Sequence, residues 1–256
     1  MNTESPTADV LQLDPPQRVA HPTMIQQWLD LSFVHWQFDP ADIRPLVPST
    51  LEIDTFHGAA WVGLIPFRLR IRRPGVPYLP WLSSFPETNL RTYVVGPDGH
   101  RGIWFLSLDA ARLGAVVAAR ASYRLPYMWA HAEMRRRGHI VRCRGRRRWP
   151  GRGTASYDLT IDVGRPLTEP TELDRFLSAR WHLYSPERLR LPPTGLELVR
   201  TTVSHPAWPL FAARVERLEE TVLAAAGLPS PAAGPTALFS PGISTRFAPS
   251  RIALTG

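Results

Sequence analysis

Lysine is missing from this chain: all 30 of its basic residues are arginine. The absence excludes chemistry. A Schiff-base nucleophile, a pyridoxal anchor and the phosphate-clamping lysine of a P-loop each need a side-chain primary amine. Asparagine is scarce as well, with Asn2 and Asn89 alone, and a GC-rich coding bias toward Arg, Ala, Pro and Gly accounts for both shortages. Cysteine is limited to Cys143, which rules out an internal disulfide and a multi-cysteine metal site. That fits a reducing compartment, and the expected localisation is cytoplasmic. Long apolar runs are lacking too. No stretch approaches the ~20 apolar residues of a membrane span, and residues 1–22 carry Glu4, Asp9 and Asp14 without the apolar centre of a secretory signal. No membrane partner is expected.

What is present can build a large core. Hydrophobic residues make up 44% of the 256 positions, and nine are Trp. That length suits one large domain or two small ones. The 27 prolines are dispersed, as in a chain of many loops and strand ends. The net charge of +8 raises the question of nucleic acid, because Arg135, Arg136, Arg137, Arg142, Arg144, Arg146, Arg147 and Arg148 cluster around Gly138 and Gly145. A basic hairpin can grip phosphates. No recognition helix, zinc finger or aromatic stacking platform accompanies it, so a solvated arginine face is the expectation and a nucleic-acid partner is not.

Residues 1–22 read as a polar tail, and residues 23–256 as a single domain. Leu29 to Val34 alternates as a strand, and Asp39-Pro40 opens a short helix that stops before Pro48. Strands follow at Leu51–Thr55 and Ala59–Ile71, joined by a turn at His57-Gly58. Residues 74–86, with four prolines, read as a loop. Thr88–Val95 and Gly102–Asp109 form a hairpin about Gly96-Pro-Asp-Gly99. Ala110–Ser122 reads as a buried helix with Arg120 near its end, complementing the helix dipole. Tyr157–Val163 reads as a strand. A helix starts near Thr171, with Asp174 completing a near capping box. Pro209–Ala226, closed by Gly227, reads as an amphipathic helix with Phe211, Val215, Leu218 and Val222 on one face. Strands near Leu196–Val203 and Leu238–Thr245 complete a sheet. The expected class is α+β: a predominantly antiparallel curved sheet or closed barrel with flanking helices.

The strand Glu87-Thr-Asn-Leu-Arg-Thr-Tyr93 carries the most chemistry. Alternation puts Glu87, Asn89, Arg91 and Tyr93 on one face. Such a polar row either faces solvent or lines a barrel interior. In the second case Arg91 is a charge in a low-dielectric hollow and needs Glu87 or an anionic ligand as its partner; its fork suits bidentate capture of a carboxylate. On the hairpin partner, alternation groups Ile103, Phe105, Ser107 and Asp109. Asp109 either caps the Ala-rich segment that follows or joins the polar row as a ligand contact. His131-Ala-Glu133 begins a zinc-deaminase signature, but its Pro-Cys-x-x-Cys half is absent. Metalloprotease, serine-hydrolase and dinucleotide motifs are absent as well, and neither a metal nor a cofactor is expected. His35 and His205 sit in apolar segments as buried, hydrogen-bonded histidines.

These motifs combine into a resemblance. Trp28-x-x-Leu31-x-Phe33-x-His35-Trp36, Asp54-Thr55-Phe56-x-Gly58-x-Ala60-Trp61-Val62-Gly63, Phe85-x-Glu87-x-Asn89-x-Arg91-x-Tyr93-Val94, Phe105-x-Ser107-Leu108-Asp109-Ala110 and Tyr123-x-Leu125-Pro126-Tyr127 look like the uncharacterised bacterial YqjF-like family. Phe176-Leu177-x-x-Arg180-Trp181-x-Leu183-Tyr184 and His205-Pro206-x-Trp208 look like it too. That family is distantly similar to acetoacetate decarboxylase, which implies a cone-like antiparallel barrel around a polar pocket. The decarboxylase forms its Schiff base in a Pro-Lys-Lys-x-Ala segment. The matching stretch here is Pro126-Tyr127-Met128-Trp129-Ala130, which puts Tyr127 where the nucleophile would stand. A phenol forms no imine, so that mechanism is out of reach.

Three functions remain open. One is acid–base catalysis on a small organic or keto acid, of lyase, hydratase or isomerase type. Arg91, Asn89, Tyr93 and Asp109 would bind the substrate, with Glu87 as acid or base and Tyr127 as a hydrogen-bond donor to an enolate oxygen. The second is a non-catalytic sensor or carrier of a small anionic molecule, with Glu87 locked to Arg91. The third is nucleic-acid binding through Arg135–Arg148. Whether the chain is an enzyme is not decided by its residues.

Overall fold

Apolar alternation broken by Pro and Gly turns makes strand the dominant element of the described residues. The computed structural model describes residues 14–78, 83–114, 116–117, 125–150, 155–186 and 198–253. In chain order they form β1 (Met24–Phe38), α1 (Pro40–Ile43), β2 (Glu52–Ile53), β3 (Ala60–Arg72), β4 (Ser84–Val95), β5 (Arg101–Ala110), β6 (Tyr127–Arg137), β7 (Ile140–Trp149) and β8 (Ser156–Pro166). Then come α2 (Glu172–Ser178), β9 (His182–Pro186), β10 (Leu198–Ser204), β11 (Phe211–Glu220), α3 (Val222–Ala225), β12 (Thr236–Phe247) and β13 (Arg251–Ile252). The turn at His57-Gly58 has positive φ at both residues, 50° and 79°, closed by the Phe56–Ala59 bridge. The capping box at Thr171/Asp174 is formed.

Following hydrogen-bonded neighbours from β5 through β6, β7, β8, β11, β12, β1, β3 and β4 returns to β5, so nine strands close a mixed barrel. Most pairings are antiparallel; β5 runs parallel to both β6 and β9. A second circuit shares one wall with the first. Strand β5 pairs with β9 through Ile103 and Trp104, β9 with β10, and β10 with the end of β12. Strands β12, β1, β3, β4 and β5 therefore form a common wall covered on both faces. That is why β4 is buried along nearly its whole length and not at alternate positions.

One face of the common wall packs Val34, Trp36, Val62, Leu64, Leu90, Val94 and Phe239 against Val141, Cys143, Tyr157, Leu159 and Ile161 of β7 and β8. Each fully buried aliphatic or aromatic side chain here contributes about 1.5–3 kcal/mol. The opposite face carries Phe33, Ile65, Phe67, Leu69 and Phe85 together with Trp208.

Two bulges decide which residues reach which face. In β1, Leu29 pairs with Arg68 and Val34 with Leu64, leaving one extra residue on β1; Asp30 in this stretch has φ 53°. In β5, Leu90 faces Ser107 but Arg91 faces Phe105, so Leu106 is the extra residue. A one-residue slip swaps every subsequent side chain to the other face.

The helix expected over Pro209–Ala226 is instead strand β11 followed by the single turn of α3. Its half-buried residues are Phe211, Ala213, Val215, Leu218 and Glu220. The period is two, and a bulge between Val215 and Arg217 shifts its phase, so Val215 and Leu218 acquire a helix-like spacing. Of the helix expected over 110–122, Ala110 ends β5, while positions 113, 114, 116 and 117 are helical; residues 115 and 118–122, Arg120 included, lie outside the described residues. The loop expected over 74–86 ends sooner, since β4 begins at Ser84. Among the described residues no helix is long and apolar enough to cross a membrane.

Candidate active site

The face of the common wall turned toward β9 and β10 borders a cavity of about 280 Å³. Strand β4 contributes Glu87 and Asn89, β5 contributes Ile103, Phe105 and Leu108, and the first residue of β6 contributes Tyr127. The register explains the grouping. Glu87 lies opposite Ala110, Asn89 opposite Leu108, Arg91 opposite Phe105 and Tyr93 opposite Ile103, and directly paired residues share a face. Tyr127 arrives because β6 runs parallel to the end of β5, with Tyr127 beside Leu108.

Glu87 is 4% exposed and accepts a hydrogen bond from the Tyr127 hydroxyl at 3.2 Å. Burial, assisted by the nearby Asp109 carboxylate, pushes its pKa from about 4.5 up to about 8; the Tyr127 bond pulls the other way and loses. Desolvation dominates, and among the described residues no cation offsets it. Glu87 is thus mainly a neutral acid at pH 7. With the phenol donating to one oxygen, the acid's own O–H is available to the cavity.

Arg91 and Tyr93 are not among the described residues lining this cavity. Arg91 is 6% exposed, and its Nη2 donates to the Leu177 carbonyl at 3.2 Å and to the Tyr93 hydroxyl at 3.5 Å. Its guanidinium lies over the Phe33 and Tyr93 rings, and its Nε–H is unpartnered among the described residues. The Tyr93 hydroxyl donates to the Leu177 carbonyl at 2.7 Å, so the His35 Nε2 contact at 2.7 Å is a donation from the imidazole. Burial first, and the Arg91 charge second, lower the pKa of His35; the same two causes take His205 down to about 4. Both histidines are buried and hydrogen-bonded, as their sequence context suggests, since His205 Nδ1 donates to the Pro206 carbonyl at 2.7 Å.

Asp109 is not part of the polar row. The bulge at Leu106 turns Ser107 and Asp109 to the opposite face of the wall. There Asp109 is held by Arg147 at 2.9 and 3.2 Å, and Arg147 also donates to Ser107 at 3.1 Å. The ion pair reaches across β6 from β7 to β5, so it clamps the junction that delivers Tyr127. The rest of the arginine hairpin is largely matched by acids: Arg142 and Arg144 bind Asp158, Arg136 binds Asp30 and Arg135 faces Glu133. Among the described residues no cluster of three or more His, Cys, Asp or Glu side chains could hold a metal ion.

The sequence reading missed several lining residues. Gln26 and Trp28 come from β1, Ser185 from β9 and Thr201 from β10. Gln26 and Trp28 were recoverable, since a polar residue two positions from a buried Trp shares its face on a strand. The β9 and β10 residues were not, because only the second circuit brings those strands over the wall.

Comparison with known proteins places this geometry. A family model described as an uncharacterized conserved protein matches residues 25–244. The uncharacterized protein YqjF of Bacillus subtilis (strain 168) is 36% identical over 214 residues, spanning 83% of this chain and 85% of that protein. Among solved structures, the enduracididine biosynthesis enzyme MppR complexed with pyruvate aligns with TM-score 0.64 at 14% identity, covering 94% of this chain and 93% of that chain. An acetoacetate decarboxylase-like enzyme from Sphingomonas wittichii RW1 aligns with TM-score 0.63 at 14% identity, covering 91% and 93%. Acetoacetate decarboxylase from Legionella pneumophila gives 0.62 at 12%, covering 94% and 92%. At these identities the structural likeness establishes the fold: this is an acetoacetate-decarboxylase-like barrel.

Proposed function

The chain belongs to the DUF2071 family of uncharacterized conserved proteins, and from that premise we propose that its cavity is an acid–base active site for a small carbonyl compound. The observation that carries the reading is the Glu87–Tyr127 pair: a buried carboxyl kept protonated near neutral pH, bonded to a phenol, on a cavity wall.

The chemistry follows from that pair. Glu87 donates its proton to the carbonyl oxygen of a bound substrate, raising the electrophilicity of the carbon and the acidity of the neighbouring C–H. The carboxylate left behind is stabilised by the Tyr127 O–H. In enolisation the α-proton leaves to solvent to give the enol, and on reversal a solvent proton adds at carbon as the enol O–H returns its proton to Glu87. In hydration the water that adds to the carbon gives its extra proton to the Glu87 carboxylate, and both oxygens remain as hydroxyls. Enolisation and hydration both fit. A Schiff base does not, for want of any lysine.

The test is exchange of the α-protons of 2-heptanone for deuterium in D2O, followed by NMR. Wild-type protein should accelerate exchange, with the rate falling as pH rises through about 8 and Glu87 ionises. Glu87→Gln should lose about 10²–10⁴-fold, the usual worth of one acid–base group. Ligand binding without exchange would overturn the enzymatic reading and leave a binding module.

A further inference from the structure

The far wall of the same cavity holds a second recognition group. Gln26 is 8% exposed and lines the cavity between Met24 and Trp28. The Trp28 indole N–H can only donate, and it donates to Gln26 Oε1 at 2.6 Å. That bond fixes the amide: oxygen toward Trp28, NH2 away from it. On the NH2 side the amide's contact is the Met24 thioether at 3.5 Å, a weak acceptor. A buried amide donor facing only sulfur is costly unless a better acceptor arrives. The hydroxyls of Thr201 and Ser250, on the same rim, satisfy each other at 2.7 Å.

Between Gln26 and Glu87 the wall is apolar, with Phe67 and Ile71. No arginine or histidine is found among the described lining residues, and the chain has no lysine. Among the described lining residues a carboxylate entering here would give up its water without a cation to meet it. The register sets the spacing. Gln26 lies opposite Ile71 and Glu87 opposite Phe67, on the two strands that flank β3, so the two are four residues apart along the sheet (~13 Å at ~3.3 Å per residue) and two strands apart across it (~10 Å at ~4.8 Å each), roughly 16 Å in all, less the inward reach of both side chains. A two- or three-carbon keto acid does not span that gap. A cavity of about 280 Å³ has the volume of roughly nine waters at ~30 Å³ each, enough for a chain of several carbons.

We propose that the cavity takes an uncharged, mostly apolar molecule bearing two oxygen acceptors, one met by Glu87 and the other by the Gln26 amide. The Glu87 end rests on the acid–base reading above; the Gln26 end does not.

The experiment compares 2,6-heptanedione, 2-heptanone and 5-oxohexanoate by thermal shift and titration. The dione should bind tightest. The monoketone, lacking one hydrogen bond, should bind about three- to tenfold more weakly, and the carboxylate at least about tenfold more weakly. In Gln26→Leu and Gln26→Met the dione should fall to the level of the monoketone. Gln26→Met keeps the side-chain length and a weak sulfur acceptor for Trp28 but has no N–H or O–H to offer, so its result does not depend on a collapsed wall. The inference is overturned if 5-oxohexanoate binds as well as the dione, if either variant leaves the dione-to-monoketone ratio intact, or if the dione gives no shift. Gln26-dependent dione binding without α-proton exchange would sink only the acid–base reading. Exchange with an unchanged ratio would sink only this one.

Discussion

The common wall has two faces, built from alternate residues of the same strands, and they are finished differently. On the face toward β7 and β8, the buried polar groups of β4 and β5 find partners: Thr88 bonds the Tyr157 hydroxyl at 2.6 Å, and Asp109 meets Arg147. The space around them is filled by aliphatic side chains. On the other face, one residue away along β4, Glu87 borders a cavity, and buried polar atoms of Asn89, Arg91 and His35 lack partners among the described residues. A buried unsatisfied group costs about 1–3 kcal/mol. The fold completes one side of β4 and leaves polar groups open on the other, and on the reading proposed here the second side is where chemistry would sit.

The comparison breaks most visibly through cavities. Leu159→Ala, on the filled side at 0% exposure, should cost about 2–5 kcal/mol by chemical denaturation. Val203→Ala, which borders an existing hollow, should cost less, about 1 kcal/mol. Equal losses would mean that the hollow side is packed as tightly as the other.

Next in size is a pH effect. The Glu87 pKa is raised in the folded protein, so its contribution to stability is full below about pH 4.5 and is lost as pH rises through about 8. His35 and His205 have lowered values, so their contribution is present above about pH 6.5 and lost as pH falls through the folded value. The difference between wild type and Glu87→Gln isolates the carboxyl. The variant should gain on wild type between pH 5 and 8, at up to about 1.4 kcal/mol per pH unit. A flat difference curve would show an ordinary, ionised Glu87.

The smallest effect belongs to the outer surface. Arg142 and Arg144 hold Asp158 in the ionised form down to about pH 2, yet the pair is solvent-exposed. Asp158→Asn should lower the melting temperature slightly, and the loss should fade in high salt. A large, salt-insensitive loss would move part of the stability from the filled face to the arginine hairpin.

Particular residues show how far the chain could be read unaided. Proline and glycine punctuation located most strands, and Glu87, Asn89 and Tyr127 were identifiable as candidates before any coordinates. Two errors share one cause. Placing Asp109 in the polar row, as the alternative to a helix cap, and reading Pro209–Ala226 as a helix both assume an unbroken register, the one through strict alternation and the other through helical spacing. The bulges at Leu106 and near Val215 break it, and a bulge leaves no compositional mark. Arg91 shows a different limit. Alternation leaves its side of the strand either solvent-facing or enclosed, and the choice, like its contact with the Leu177 carbonyl, depends on a segment 86 residues away.

The sequence by itself determined the chemistry this protein lacks and the alternation that makes it a barrel. Both are local properties, readable from which side chains exist and how they repeat. Which face each residue occupies, and whether its charge meets a partner or an open hollow, was decided only by the tertiary structure. Register shifts and the second circuit through β9 and β10 are long-range choices, and the cavity beside Glu87 is lined by residues brought from seven other strands.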